Sequence, residues 1–427
     1  MRFRRLLLGV LVALPLALAG CKINTINSFN PAAAQVRVAN MVPDATVAVD
    51  VDGTPTWAGV AFESVTAYTT LDAAQQTFGL RVDGTSADII TADFNIAGGQ
   101  NYTLVPYNTI DLPAMLMLPD VLQETGNSTA SVRFVLVAAG ITYVDVYVTA
   151  PDAIIDNINP TISYLTFGSS GGYTSFSQGS YRTRITVAGT KTVIYDSGPY
   201  VLASNSVTNA IVYARGSSAL VNVMLLDTAG GTVIANNTLS QVRALNASPG
   251  MANVDFLYDT VPVFPGIAFA TPSIYASVLT EPSAAFAFQA SAAPGAIIAQ
   301  TTGSIPAATD ATVLLFGFPG AQTVKIYPDN NLPPVTGSAR VRFINASPDA
   351  PPLDVLVNDV RTITALKSGD ASVYVPLVVD TYTIKFVDPV TGTVSPTLAN
   401  VVLNQDVYTV YAVGANSSMT AIYSSDR

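Results

Sequence analysis

A strand-turn-strand pattern that occurs four times limits what this chain can fold into. Its clearest copy spans residues 341–359, where an apolar strand containing Arg342, a Ser-Pro-Asp turn and a second apolar strand follow one another. The copies begin at Val36, Val132, Val242 and Val341, at intervals of 96, 110 and 99 residues. Solenoid repeats are about 20–50 residues long, whereas a β-sandwich domain has about 100. The spacing therefore predicts four domains in a row.

Two further signatures recur in each copy and favour a sandwich. In mid-unit an aromatic residue precedes a short turn and an alternating strand; these residues are Tyr68, Tyr173, Tyr275 and Tyr374. Late in the unit Tyr102 and Tyr408 each follow a turn, as in the tyrosine corner of immunoglobulin-like domains. After residue 20 no helical period is evident. We predict an all-β fold of tandem immunoglobulin-like antiparallel β-sandwich domains with about seven strands each.

The first 21 residues have the three parts of a secretory signal. A basic start precedes an apolar core at 6–18 that is too short to span a bilayer. Leu18-Ala-Gly-Cys21 then resembles the lipobox, whose cysteine is acylated. We expect Cys21 to be the lipidation site. By resemblance to diderm lipoproteins, Lys22 in the position after it implies the outer membrane, facing the periplasm or the cell surface. The predicted organisation is a signal peptide at 1–20, a lipidated tether at 21–34 and β-sandwich repeats at 35–127, 128–237, 238–334 and 335–427.

The composition excludes several classes of chemistry. The chain has no histidine and a single cysteine, which rules out Ser-His-Asp and Cys-His nucleophile systems and an intrachain disulfide. Its net charge of −10, which becomes −13 when Arg2, Arg4 and Arg5 leave with the leader, makes nucleic acid a poor partner. No glycine-rich phosphate loop occurs. The sequence indicates no cofactor.

Asp is the residue type that leaves alternatives open. Of the 29 acidic residues only three are Glu, so chance could bring two Asp carboxylates together as in a glycosidase. Calcium also takes Asp and Asn oxygens, and the local clusters are Asp50-Val-Asp-Gly53 and Asp329-Asn-Asn331. Neither follows a calcium-loop pattern, and turns at strand ends explain both, so we assign no metal site. The recurring aromatic residues fit core packing better than a binding platform.

An arginine on the first strand and an aspartate on the second recur in every copy. The pairs are Arg37/Asp50, Arg133/Asp145, Arg243/Asp255 and Arg342/Asp354. In a simple hairpin centred on Pro348, Arg342 would lie directly opposite Asp354, where opposite charges contribute about 0.2–1 kcal/mol. We therefore expect these residues to be structural pairs.

The segment 341–355, with Tyr374, Tyr382 and Tyr408-Thr-Val-Tyr, resembles the bacterial domain-of-unknown-function family numbered 4397. The fourth copy fits best, and the second, with Ala138-Ala-Gly140 in place of Ser-Pro-Asp, departs most. The resemblance implies a tandem, secreted or lipid-anchored protein and brings no catalytic residues. We expect a non-enzymatic, lipid-anchored envelope protein, a structural, adhesive or ligand-binding rod whose partners are the membrane and an envelope glycan or protein. The alternative is a carbohydrate-active or other hydrolytic enzyme that uses Asp carboxylates.

Overall fold

The computed structural model describes residues 33–120 and 128–427, which form four consecutive units of two β-sheets each. This arrangement confirms the predicted all-β fold of tandem sandwich domains. Cys21 and the rest of the leader and most of the tether lie outside the described residues. The described part of the chain contains no helix that is long and apolar enough to cross a membrane.

Units 1, 3 and 4 contain eight strands each, one more than the sequence suggests. Those of unit 1 are β1 Ala33–Val38, β2 Val47–Val51, β3 Thr54–Val60, β4 Thr69–Asp72, β5 Gln75–Val82, β6 Ile90–Asn95, β7 Asn101–Tyr107 and β8 Ala114–Asp120. Unit 2 has β9 Thr129–Leu136, β10 Tyr143–Thr149, β11 Ile162–Thr166, β12 Ser169–Ser170, β13 Thr174–Ser177, β14 Gly179–Val187, β15 Val193–Leu202, β16 Val207–Tyr213, β17 Asn222–Asp227 and β18 Thr232–Ala235. Its fourth strand is split in two, and a 3-10 turn at Ile155–Asn157 precedes β11.

Units 3 and 4 repeat the plan of unit 1. Unit 3 contains β19 Leu239–Asn246, β20 Val254–Tyr258, β21 Val261–Ile267, β22 Ala276–Leu279, β23 Ala284–Ala290, β24 Ile297–Gly303, β25 Asp310–Phe316 and β26 Thr323–Asp329. Unit 4 contains β27 Ser338–Ala346, β28 Leu353–Val357, β29 Val360–Leu366, β30 Val375–Val378, β31 Asp380–Val387, β32 Val394–Leu403, β33 Val407–Val413 and β34 Thr420–Ser425, with a 3-10 turn at Asn416–Ser418.

The strand order is the same in units 1, 3 and 4. One sheet has the order β4-β1-β7-β8 and the other β3-β2-β5-β6, in the numbering of unit 1. The first and seventh strands pair in parallel, with Arg37 beside Thr103 and Arg342 beside Thr409, while their other neighbours are antiparallel. The sandwiches are therefore antiparallel except at this one pairing, which closes each unit by joining its beginning to its end.

A buried asparagine carries the chain from the first sheet to the second. Asn40, Asn246 and Asn345 lie at or close to the end of the first strand and are fully buried. The side-chain oxygen of Asn345 accepts the amide of Ser347, and its Nδ2 donates to the carbonyl of Leu366 on β29, in the other sheet. This is a local Asx turn with one extra bond across the sandwich. The predicted hairpin between the first and second strands is therefore wrong, because the turn crosses between sheets.

Each unit has its own apolar core, and the predicted tyrosine corners are present. Val341, Phe343, Val355 and Phe386 pack between the two sheets of unit 4. The hydroxyl of Tyr102 accepts the backbone amide of Ala97, and that of Tyr408 accepts the amide of Asn404, each at 3.0 Å. Phe78 on β5 and Phe286 on β23 are fully buried in the cores of their units.

The units pack back to back in two pairs, a first pair of units 1 and 2 and a second pair of units 3 and 4. Between units 3 and 4 lies a separate apolar cluster that includes Leu245, Leu314, Ile344 and Tyr411. An equivalent cluster joins units 1 and 2. The central strand β33 is consequently buried at all seven positions, because one face meets its own core and the other meets the neighbouring unit. This packing differs from the expected rod, since the outer faces of the first sheets are too apolar to remain in water.

Candidate functional site

The arginines and aspartates that recur in the sequence do not pair as expected, because the first and second strands of a unit belong to different sheets. None of the four expected pairs forms an ion pair in the described residues. The expected pairs were Arg37/Asp50, Arg133/Asp145, Arg243/Asp255 and Arg342/Asp354. Each arginine instead points away from its own core, towards the neighbouring unit. The two sets of residues have separate roles.

In the second pair the arginines form reciprocal ion pairs across the unit interface. Arg342 of unit 4 donates to Asp329 of unit 3 at 2.6 Å, and Arg243 of unit 3 donates to Asp426 of unit 4. Arg342 also reaches Thr409 at 3.1 Å. Burial alone would raise the pKa of Asp329, but Arg342 and Arg243 outweigh it and hold that pKa below its usual range. All four charged groups are almost fully buried and mutually neutralised.

The mid-unit tyrosines cover these arginines. The guanidinium carbon of Arg243 lies 4.9 Å from the ring centre of Tyr275, and that of Arg342 lies 5.0 Å from Tyr374. Tyr68 and Tyr173 cover Arg37 and Arg133 in the same way, at 4.6 and 4.7 Å. These four tyrosines therefore lie at the unit interfaces, neither in the core of their own sandwich nor on an open platform, and each contributes a cation–π contact.

The first pair uses the same positions with different chemistry. Arg37 lies 3.5 Å from Asp120 of its own unit, whereas Arg133 of unit 2 bonds Asn209 and the carbonyl of Pro119. The register of β16 and β17 places Thr228 where the other units have Asp120, Asp329 and Asp426. Burial lowers the pKa of Arg133, and no carboxylate of the described residues lies within ion-pair distance of it.

The aspartates of the second strand support a bulge in the third strand. Asp145, Asp255 and Asp354 accept the backbone amides of Tyr164, Gly266 and Ala365 at 2.8–2.9 Å. The three donor residues, Tyr164, Gly266 and Ala365, have positive φ angles of 52°, 66° and 51°. In unit 1 the equivalent amide, that of Gly59, bonds Asp83 instead.

Asp50 is the exception among the second-strand aspartates. It binds Arg81 at 3.0 Å and faces Asp88, and burial and that second carboxyl raise its pKa. A Cβ at position 79 would meet oxygens of both Asp50 and Asp88 within 3 Å, so Gly79 leaves the room that the two carboxyls occupy.

A crevice of about 490 Å³ opens where all four units meet. Unit 1 contributes Asp44, unit 2 contributes Arg215, unit 3 contributes Asp329, and unit 4 contributes Arg342 and Tyr374. The units are held together around it by hydrogen bonds from Arg215 to Glu63 of unit 1 and to the carbonyl of Ala307 in unit 3. We regard this crevice, which the sequence did not predict, as the candidate functional site.

Further bonds at the same junction join the two pairs. Asn330, in the linker between units 3 and 4, donates to Asp44 at 2.7 Å, and the next residue, Asn331, donates its amide to the carbonyl of Gly216. Asp310 of unit 3 accepts the amide of Ser218 in unit 2 at 2.8 Å. The linker thus touches units 1 and 2, so the crevice has walls from both pairs.

The two segments considered for calcium are engaged in other contacts. The carboxylate of Asp329 accepts from Arg342, Thr312 and Tyr275. Asp52 accepts the amide of Thr77. Across residues 33–120 and 128–427 no group of three or more Asp, Glu, Cys or His side chains could hold a metal ion.

The comparisons with known proteins identify a family and little else. The family model described as "Domain of unknown function (DUF4397)" matches residues 34–147, 240–355 and 339–427, so most of unit 2 lies outside the matches. No curated protein matches the chain. A structure described as alpha-glucan binding by a streptococcal virulence factor aligns at 11% identity over 47% of this chain and 97% of its own, with a TM-score of 0.15. The major pilin subunit of Bacillus cereus aligns at 9% identity over 69% and 95%, with a TM-score of 0.12. Scores this low support no argument about function.

Proposed function

The chain belongs to the DUF4397 family of domains of unknown function, and from this premise we propose that it is a non-enzymatic, lipid-anchored binding protein of the bacterial envelope. One observation carries the proposal: the crevice between the two unit pairs is built from all four units. Binding sites commonly lie at the interfaces between domains. Four small sandwiches therefore act as one preassembled receptor.

The charged residues that recur from unit to unit support a binding function over catalysis. Asp329, Asp426, Arg243 and Arg342 are buried and paired with one another, so they are not free to accept or donate protons. General acid–base catalysis needs groups whose protonation changes near the operating pH. These residues fasten the units and leave the crevice as the accessible feature.

The anchor is part of the proposal and rests on Leu18-Ala-Gly-Cys21. Several acyl chains at about 0.8 kcal/mol per buried CH₂ give a long-lived attachment, whereas one chain is marginal. The 12 residues from Cys21 to Ala33 reach at most roughly 40 Å when extended. We place the protein at the outer membrane, facing the periplasm or the cell surface, with unit 1 held near the lipid.

The anchor is tested by Cys21→Ser. We expect the variant to lose labelling by a palmitate analogue and to leave the membrane fraction, while the wild type remains there. The binding function is tested by affinity capture of envelope glycans and proteins with the detergent-extracted protein. Labelling that persists in the Cys21→Ser protein would contradict the anchor, and a failure to capture any envelope component would contradict the binding function.

A hydrolytic function is the second candidate, and the Asp50–Asp88 pair favours it. Two facing carboxyls with a raised pKa on one of them are the arrangement that carboxylate enzymes use. Arg81, which lies 3.0 Å from Asp50 and 3.7 Å from Asp88, opposes the rise in the pKa of Asp50 with its positive charge. A panel of glycan and ester substrates decides between the two: turnover that disappears in Asp88→Asn would establish the enzyme, and no turnover by the wild type would remove it.

A further inference from the structure

Two residues that line the crevice each have a buried hydrogen-bond donor without a partner in the described part of the chain. The Nε of Arg342 and the hydroxyl of Tyr374 are buried and bond nothing in the described residues. Both residues line the crevice, and their side chains pack against each other at 5.0 Å. An unpaired buried donor costs about 1–3 kcal/mol. Two such donors on neighbouring residues that line one crevice are the feature that an incoming acceptor would complete.

The equivalent tyrosine of unit 3 lacks this feature. The hydroxyl of Tyr275 donates to Asp329 at 2.5 Å. Tyr374 occupies the matching place in unit 4, where no carboxylate accepts from it. The guanidinium groups of Arg340 and Arg342 both lie over its ring, so its hydroxyl rather than its face is left for a ligand. The difference between two otherwise matching units identifies the polar end of Tyr374 as the distinctive group.

The charges of the crevice indicate what kind of acceptor fits. The ionic residues in the wall are two acids, Asp44 and Asp329, and two arginines, Arg215 and Arg342. Their formal charges cancel, and the chain as a whole is strongly acidic. An anion would therefore gain little from the crevice and would be repelled at longer range. A cation would be repelled by the unpaired donors, because both it and the donor hydrogens are positive.

A neutral hydroxyl group fits both the unpaired donors and the balanced charges of the crevice. It accepts a hydrogen bond from an arginine or tyrosine and donates one to a carboxylate such as Asp44. The volume of about 490 Å³ lies in the range of small-molecule sites. We propose that the crevice binds a neutral saccharide, with Tyr374, Arg342 and Asp44 as its polar contacts. This inference rests on the proposed binding function and names the ligand class for the same site.

The test uses isothermal titration calorimetry on the detergent-extracted protein. The probes are neutral oligomers of glucose, galactose, mannose and N-acetylglucosamine, with oligogalacturonate as the anionic arm and chitosan oligomers as the cationic arm. We expect at least one neutral oligomer to bind and the charged arms not to bind. Tyr374→Phe should weaken that binding about tenfold, because a hydroxyl hydrogen bond is lost.

Tyr275→Phe is the matched control. The Tyr374→Phe protein should keep or raise its melting temperature, since that buried hydroxyl has no partner in the described residues, whereas Tyr275→Phe should lower the melting temperature and leave saccharide affinity unchanged. Binding that survives Tyr374→Phe, or binding only in a charged arm, overturns the saccharide site. Capture of an envelope protein without any saccharide binding also overturns it but leaves the proposed binding function standing. If neither a saccharide nor an envelope component binds, both proposals fall.

Discussion

The two unit pairs share one architecture but provide different partners for their buried arginines. In the second pair two buried arginines face two buried aspartates, and each ion pair crosses the interface. In the first pair two buried arginines face one aspartate, Asp120, because unit 2 has Thr228 in place of the second acid. Asn209 fills the gap by accepting from Arg133 and donating to Asp120.

This difference shows that each buried guanidinium needs hydrogen-bond partners. Those partners do not have to include a carboxylate for each arginine. Backbone carbonyls serve in the first pair: Arg37 donates to the carbonyl of Asp227, and Arg133 donates to that of Pro119. A buried ion pair stabilises little on balance, because the cost of removing the charges from water offsets their attraction. The two pairs should therefore respond very differently to the loss of an arginine.

The largest expected effect separates the two pairs directly. Arg342→Met leaves Asp329 buried without its main counter-charge and should cost about 3–5 kcal/mol of unfolding free energy. Arg133→Met, at the matching position of unit 2, leaves Asp120 still beside Arg37 and should cost about 1 kcal/mol. Chemical denaturation of the two variants measures the difference.

A double variant serves as the control for this comparison. Arg342→Met combined with Asp329→Leu should recover much of the loss, because replacing both members of a buried pair removes both desolvation costs. If the double variant is as unstable as the sum of the single ones, the two residues are not coupled and the comparison fails.

The junction between the pairs should depend on pH through Asp310. Burial raises the pKa of this carboxyl to about 6, although Ser217, Ser218 and Asn331 act in the opposite direction, and the neighbouring Asp329 raises it further. The folded protein therefore holds this proton more tightly than the unfolded chain does. The contribution of Asp310 to the free energy of unfolding should increase by roughly 3 kcal/mol as the pH falls from above about 6 to about 4.

Asp310→Asn isolates the contribution of Asp310 from the other carboxylates. The wild type minus variant difference in unfolding free energy should change between pH 7 and pH 4, and the variant should be the more stable protein at pH 7. Parallel pH profiles for the two proteins would show that Asp310 is not the group responsible.

A smaller effect should follow from giving unit 2 the missing acid. The double change Thr228→Asp and Asn209→Thr gives unit 2 the aspartate and the threonine that the other units have at these positions. The new carboxylate would lie within reach of Arg37. We expect a gain of about 1 kcal/mol, since bonds to charged groups exceed neutral ones but the new charge must be desolvated. Thermal unfolding against the Thr228→Asn control measures it, and a loss of stability would mean that unit 2 has adapted to its neutral set.

The smallest expected effect concerns the bulge that Asp354 supports. Ala365 has a φ angle of 51°, which costs an L residue about 1–2 kcal/mol, whereas unit 3 has Gly266 there. Ala365→Gly should stabilise unit 4 by about 0.5–1 kcal/mol after the entropy of glycine is included. Gly266→Ala is the reciprocal change and should destabilise unit 3 through backbone strain. No clash would contribute, because the new Cβ would meet nothing within 4 Å. Equal stabilities would exclude strain at this position.

Sequence patterns predicted the strands and their repetition better than the partners of each strand. Alternation identifies which residues share a face, and a turn before Tyr102 or Tyr408 is a local feature, so both were predictable. Whether Ser347-Pro-Asp makes a hairpin or an arch depends on Asn345 reaching Leu366, a contact over 21 residues. Local patterns contain no information about such a contact.

The interface between units leaves a signal in the sequence. Arg342 stands in an otherwise apolar central strand, and a solvent-facing side of such a strand would normally alternate more strongly. Asp120 and Asp329 end the last strands of units 1 and 3, and Asp426 follows the last strand of unit 4 at the same register, whereas unit 2 has Thr228 there. Together they identify a second buried face. The crevice itself depends on how four units assemble, which no single repeat contains.

The parallel pairing of first and seventh strands has a consequence for how the protein is made. Arg37 and Thr103 are neighbours in the sheet but 66 residues apart in the chain, and Arg342 and Thr409 are 67 apart. A growing chain cannot complete the central pairing of a unit until nearly the whole unit has been synthesised. Such non-local closure slows folding. A unit that closes last at its centre would therefore remain open until its seventh strand has been synthesised.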